Sequence, residues 1–187
     1  HWDAVGRRME ARSGWGHYYH RRLREIYQFL IPQGLRVLEI GSGRGDLLSY
    51  VQPGFGVGVD FSPEMVRGAS RRHPELCFLQ SDAHCINLLD APFDSIIISD
   101  LVNDVWDVQT VFQQVKHLTT PKTRIIINFY SRLWEFPLAL AARVGLARPT
   151  LGQNWLTVED VNNLLHLTGF EMVRQWDEIV WPLRTPF

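Results

Sequence analysis

Sulfur is scarce in this chain: two cysteines, Cys77 and Cys85, and three methionines among 187 residues. The cysteines show none of the short paired spacing that a zinc or iron–sulfur site needs, so no metal is expected. They are expected to be a buried thiol pair in a reducing, cytoplasmic compartment. Charge of either sign is also in short supply. Nineteen basic and twenty acidic residues leave a formal net charge of -1, which argues against nucleic acid or an anionic membrane as the main partner. The arginines at 21, 22, 24, 71 and 72 read as solvated helix faces. No apolar run is long enough to span a bilayer, because Phe136 to Val144 is broken by Pro137 and Arg143. No signal peptide, repeat or low-complexity tract is visible. With 45% hydrophobic and 21% charged residues, one soluble domain over residues 1–187 is expected.

What is present is concentrated in residues 36–46, Arg-Val-Leu-Glu-Ile-Gly-Ser-Gly-Arg-Gly-Asp. An apolar run carrying Glu39 leads into glycines at 41, 43 and 45, and a helix-like segment follows. Strand, glycine loop and helix together form a nucleoside-binding turn. A dinucleotide fingerprint would need glycine at 46, where Asp46 would repel a pyrophosphate held at a helix N-terminus. No Gly-Lys-Ser/Thr follows, which excludes a Walker loop. The spacing therefore favours a nucleoside without phosphates, with a positive group near Glu39.

Downstream, apolar and β-branched runs alternate with helical periodicity. Strands are expected at 36–40, 56–60, 76–80, 95–99 and 124–129, with a sixth at 170–176. Ser62, Pro63 and Glu64 signal a helix start, as do Thr157 and Asp160. The alternation implies an α/β fold, a Rossmann-like, doubly wound, mostly parallel sheet of six or seven strands with helices on both faces. In such sheets ligands bind at the carboxyl ends of the strands. Glu39, Asp60, Asp82 and Asp100 all fall at that edge. A helix over about 16–30 and an insertion over about 130–155 depart from the alternation, and are expected to form a lid.

Four segments in order resemble the motifs of class I S-adenosylmethionine (SAM)-dependent methyltransferases: Val37 to Asp46, Gly58 to Met65, Ser81-Asp82-Ala83, and Ile96 to Asp100. The resemblance extends over most of the chain. It implies SAM as cofactor and S-adenosylhomocysteine as product, held by Glu39, Gly41, Ser42, Gly43, Gly45, Asp60, Phe61, Met65, Asp82, Ala83, Asp100 and Leu101. Asp60 would take the ribose hydroxyls, Phe61 would lie against the adenine or in the core, and Asp82 would accept from the adenine amino group. Tyr18, Tyr19, Asn103, Trp106, Tyr130 and Trp134 are the expected substrate contacts. His20 is the candidate base, with His17 and His84 as other histidines near the site. The Asn/Asp-Pro-Pro-Tyr/Phe motif of nucleic-acid amino methyltransferases is absent after strand four, where Ser99-Asp100-Leu101-Val102 stands, so a nucleobase acceptor is not expected.

The segment from Asn154 to Glu171 is also similar to methyltransferase domains found alone or fused to bacterial glycosyltransferases. That implies a small-molecule, glycan or lipid-linked acceptor with an O, N or C nucleophile. A SAM-binding module without catalysis and a nucleotide-dependent oxidoreductase of similar fold are the alternatives. Class I sheets end in an antiparallel seventh strand. Here that strand is either cramped into 179–181 or, as favoured, beyond Phe187. The chain opens on His1 rather than methionine, which agrees with a trimmed sequence. An open sheet edge would invite self-association.

Overall fold

The computed structural model describes residues 17–88, 92–130, 132, 135, 140 and 154–177. Its strands are β1 (Arg36–Ile40), β2 (Phe55–Asp60), β3 (Cys77–Gln80), β4 (Ser95–Ser99) and β5 (Arg124–Asn128). They form one sheet in the order β3-β2-β1-β4-β5, and every neighbouring pair is parallel. The helices are α1 (His17–Leu30), α2 (Asp46–Tyr50), α3 (Pro63–Arg72), α4 (Val108–Lys116) and α5 (Val158–Leu167).

Side chains alternate across a strand, so a strand covered on both faces feeds two cores. Val37 and Ile97 join Leu23, Tyr27, Leu48 and Ala69 in the core under α1, α2 and α3. Leu38, Ile40, Ile96 and Ile98 join Phe112, Val115, Val161 and Leu165 under α4 and α5. Glu39 shares the parity of Val37 and therefore points toward α2. The order in which strands are added reverses between β1 and β4, which puts the crevice at their carboxyl ends.

Local signals explain the helix boundaries. Ser62 Oγ accepts from Met65 N at 3.3 Å, with Pro63 in the first turn of α3. Thr157 and Asp160 form the expected reciprocal capping box on α5. Asp107 caps α4 by accepting from Thr110 N at 3.0 Å.

Three expectations need correction. Both cysteines are exposed and unbridged. For Cys77 the reason is that β3 is an edge strand, covered by α3 mainly through Phe78, while Cys77 and Leu79 face outward; Cys85 lies in the turn beyond it. Residues 170–176 form no strand. Phe170 docks against the core beneath Lys116, whose Nζ lies 4.7 Å from the ring, but Val173 is 95% exposed and no ladder partner is present among the described residues. The sheet therefore has five strands among the described residues, against six or seven expected. Residues 179–181, where a cramped seventh strand was considered, lie outside the described residues, as does most of the 130–155 insertion.

Candidate functional site

The glycine loop sets the geometry of the crevice. Gly41, Gly43 and Gly45 all have positive φ, at 76°, 51° and 73°. This coils the chain back after β1, and Gly41 N and Ser42 N both donate to Val59 O. An alanine methyl at Gly43 would meet nothing within 4 Å, so open space lies over the loop there. A methyl at Gly41 would press on Leu101, at 3.0 Å from its Cδ1, which puts Leu101 against the loop's other side. Ser42 Oγ is buried without a hydrogen-bond partner among the described residues.

The four acids occupy the carboxyl edge in different ways. Glu39 is only 3% exposed, and its Oε2 accepts from Leu48 N at 3.1 Å. Burial pushes its carboxyl well above the usual range, against the lowering effect of that N–H. Asp60 bridges the loop to its own turn: Oδ2 accepts from Gly43 N at 2.7 Å and Oδ1 from Ser62 N at 2.9 Å. Phe61 follows it at 65% exposure, so it is a surface ring rather than a core one, and Met65 is buried in α3. Asp82 accepts from His84 N at 2.9 Å and from His84 Nδ1 at 2.6 Å, contacts that hold its carboxyl below the usual range. Ala83 packs on the core beside it.

His84 is committed to structure. One ring nitrogen meets Asp82, the other accepts from Asp107 N at 3.3 Å, and Trp106 stacks on the ring at 4.4 Å. It pins the loop after β3 to the loop after β4, and leaves Trp106 77% exposed on the outside.

Asp100 is the centre of a second cluster. Its φ of 55° is one of two positive values at described non-glycine residues. Its Oδ1 accepts from Tyr19 Oη at 2.5 Å and from Asn128 Nδ2 at 2.6 Å, and Tyr27 Oη donates to Asn128 Oδ1 at 2.6 Å. Tyr130 stacks on Tyr19 with ring centroids 5.6 Å apart. Burial pushes the Asp100 carboxyl up to about 6, although the Tyr19 and Asn128 contacts pull the other way. Burial and the Asp100 charge raise both Tyr19 and Tyr130, which keeps these phenols protonated donors.

Sequence reasoning picked Asp100, Tyr19 and Tyr130 but missed Asn128 and the Tyr27 hydroxyl. Asn128 carried the signal that singled out Asp100, a polar residue closing an apolar strand. His20 is exposed, with its ring 5.4 Å from that of Tyr19. Tyr18 is exposed beneath Arg21. The side chains of His17 and Trp134 lie outside the described residues. No group of residues that could hold a metal exists among those described.

Asn103 is used differently from the substrate contact expected of it. It is 1% exposed, and its amide is spent on backbone: Nδ2 donates to Tyr130 O at 3.3 Å and to Asn154 O at 2.9 Å, while Oδ1 accepts from Tyr130 N at 2.9 Å. Asn154 N returns a bond to Asn103 O at 2.7 Å. One buried amide thus clasps both ends of the 131–153 segment. Asn103→Ala leaves several buried backbone groups unpaired and should cost about 2 kcal/mol. Urea denaturation measures this, and a loss under 0.5 kcal/mol, roughly the scale of a neutral surface change, would show that the clasp carries little.

A family model described as a methyltransferase domain matches residues 31–181. The 2-phytyl-1,4-naphtoquinone methyltransferase of Thermosynechococcus vestitus is 25% identical over 173 residues, covering 78% of this chain and 76% of that one. The demethylmenaquinone methyltransferase of Renibacterium salmoninarum is 28% identical over 100 residues, covering 52% of this chain and 42% of its own, so the chain spans less than half of that relative. Among solved structures, the putative methyltransferase in complex with the Haloferax volcanii Trm112 methyltransferase activator superposes with a TM-score of 0.77 at 17% identity, covering 100% of this chain and 82% of that one. A family match over most of the chain, a parallel sheet of this order and a glycine loop ringed by strand-end acids agree: the chain belongs to the class I SAM-dependent methyltransferases.

Proposed function

We propose that this chain transfers a methyl group from SAM to a small-molecule acceptor bound between α1 and the loops after β4 and β5. The observation that carries the proposal is the carboxyl edge itself: four acids at the ends of adjacent parallel strands, around a glycine loop with open space above it. The residues fit a cationic nucleoside. Glu39 supplies a buried carboxyl of which the described contacts occupy one oxygen, and an ammonium beside it would offset the cost of its charged form. Ser42 Oγ is a buried hydroxyl in need of a partner. Asp60 suits a ribose diol, since Gly43 N and Ser62 N fix both of its oxygens at the strand end and a carboxylate can accept two hydroxyl protons at once. Phe61 offers a flat exposed face for a base, whose polar edge Asp82 and Ala83 would then meet.

SAM, when bound, supplies a methyl group on a sulfonium, and in-line alignment of an acceptor accounts for much of the acceleration. The stacked pair of Tyr19 and Tyr130 favours a flat conjugated acceptor over a glycan or a saturated lipid-linked one. Two of the relatives are named for quinone substrates, which are flat rings of this kind.

Calorimetric titration with SAM and S-adenosylhomocysteine tests the cofactor reading. Asp60→Asn should weaken both by about 2 kcal/mol, roughly thirtyfold in Kd, as hydrogen bonds to a charged acceptor are lost. Unchanged affinity would remove Asp60 as the ribose ligand, and no binding to the unmutated chain would end the proposal.

A further inference from the structure

We propose that Asp100 is the general base of the transfer, and that the acceptor is a phenolic or enolic hydroxyl on a flat ring, placed against Tyr19 and Tyr130. This rests on the methyl-transfer reading of the site. Four elements converge on this one carboxylate. Tyr19 comes from α1, as does Tyr27, which bonds Asn128; Asn128 ends β5, Tyr130 follows it, and Asp100 itself follows β4. Its φ of 55° is left-handed, a conformation that is sparsely populated for non-glycine residues and one that aspartate adopts more readily than most. Here Tyr19 and Asn128 both grip Oδ1, so neither occupies Oδ2.

The other candidate groups are engaged elsewhere. His84 is spent between Asp82 and Asp107. Glu39 lies on the α2 side of β1, bonded to Leu48. His20 is exposed beyond Tyr19. Asp100 is also tuned for the task. The groups facing it are the phenols of Tyr19, Tyr27 and Tyr130 and the carboxylate of Asp104 in its own loop, and none of these is cationic. A base serves best when its pKa lies near working pH, and burial has moved Asp100 up to about 6.

The stacked rings of Tyr19 and Tyr130 beside Asp100, and the Oδ2 that Tyr19 and Asn128 leave, select the acceptor, and the raised pKa agrees. A phenol, near pKa ~10, lies about four units away and ionises as the new bond forms. An alkyl hydroxyl, near the ~15.7 of water, lies about ten units away. An ammonium, near ~10.4, lies as far away as a phenol, but deprotonating it beside the carboxylate also gives up an ion pair. The Tyr19 phenol already donates to Oδ1 at 2.5 Å, which shows the contact that an acceptor phenol would repeat at Oδ2. In the step, the hydroxyl proton passes to Asp100 Oδ2 and the oxygen's electron pair forms the O–CH3 bond. The S–CH3 bond breaks with its pair staying on sulfur. Asp100 becomes neutral as the oxygen gains charge, so two adjacent anions never coexist, and the proton then leaves to solvent.

Asp100→Asn is the deciding variant, because asparagine tolerates the left-handed conformation. Carboxyl NMR titration of the cofactor-free protein should show one group near pH 6 that is missing in Asp100→Asn and displaced upward in Tyr19→Phe. An Asp100 that titrates below pH 4.5 overturns the inference. With SAM and a panel of catechol, 1,4-dihydroxynaphthalene, cyclohexanol and benzylamine, methylation should be confined to the two phenols and rise through pH 6. Asp100→Asn should lower kcat at least a hundredfold, a far larger factor than any change in the Kd for SAM. Wild-type kcat in that variant, methylation of the alcohol or the amine, or a pH limb lost in His20→Ala but kept in Asp100→Asn would each refute it. Failure of the unmutated chain to bind SAM overturns the methyl-transfer reading as well, whereas SAM binding with an acidic Asp100 overturns this inference alone.

Discussion

Gly45→Ala is expected to lower folding stability by about 3 kcal/mol, while Gly43→Ala, two residues away in the same loop, costs only about 1. Both glycines have positive φ, 73° and 51°, so both alanines incur the left-handed penalty. The difference is packing. At Gly45 a methyl would lie 2.7 Å from Phe78 Cε1 and 3.3 Å from His73 Cδ2. Phe78 is the residue that β3 buries, so it cannot retreat without opening the core under α3. Gly45 also begins α2, accepting from Ser49 N at 3.0 Å, and any shift of its backbone is passed to the helix that holds Glu39. At Gly43 a methyl enters open space, and Gly43 N keeps its bond to Asp60. Gly43→Ala should therefore remain folded and lose SAM affinity, because its methyl stands where the ligand would lie. Urea denaturation of both variants, paired with calorimetric titration of the folded one, separates the effects. Equal stability losses would mean that Phe78 does not constrain Gly45.

The loop was legible because its chemistry is local. Glycine spacing, the acid in β1 and the acid at 46 are written within eleven residues, and they fix how the chain turns whatever packs around it. The same holds for the Ser62 and Thr157 caps and for Ile96 to Ile98, a run apolar enough to need cover on both faces. The misses are non-local. Residues 170–176 alternate well enough for a strand, but a strand exists only if another edge pairs with it, and alternation cannot say whether one is there. Cys77 was expected inside as one of a buried thiol pair. Its exposure follows from β3 ending the sheet, a property of strand order.

Asn103 shows the same boundary within the candidate site. Its position after β4 suggested a substrate contact, but its amide is consumed by residues 130 and 154, which the fold brings to it from far along the chain. Tyr19 was placed on a helix by its spacing, yet its hydroxyl meets an acid 81 positions away. Periodicity locates a side chain on a face; it does not name what the polar end of that side chain will find.

Stability should fall as pH rises from about 4 to about 7, the reverse of what salt-bridged acids produce. Asp100 titrates at 3.8 by its ordinary chemistry and is pushed up to about 6 in the fold, chiefly by burial. Between these values the folded state holds a proton that the unfolded state has released. Its contribution to stability is complete below the unfolded value and is lost as pH passes the folded one. At about 1.4 kcal/mol per unit the loss is about 3 kcal/mol, most of it between pH 4 and 6. Burial shifts Glu39 in the same direction and adds to the slope. Asp82, Asp107 and Asp160 are held below 3.8 by their hydrogen bonds, so their stabilising share is lost only in stronger acid. The two sets of acids therefore do not cancel in the window that matters. Guanidinium denaturation at pH 4.5, 6.0 and 7.5 should show the decline, and Asp100→Asn, which keeps an acceptor for Tyr19 without a charge to bury, should flatten much of it. A wild type as stable at pH 7.5 as at 4.5 would mean that Asp100 is solvated in the folded chain, and that Tyr19 and Asn128 do not enclose it.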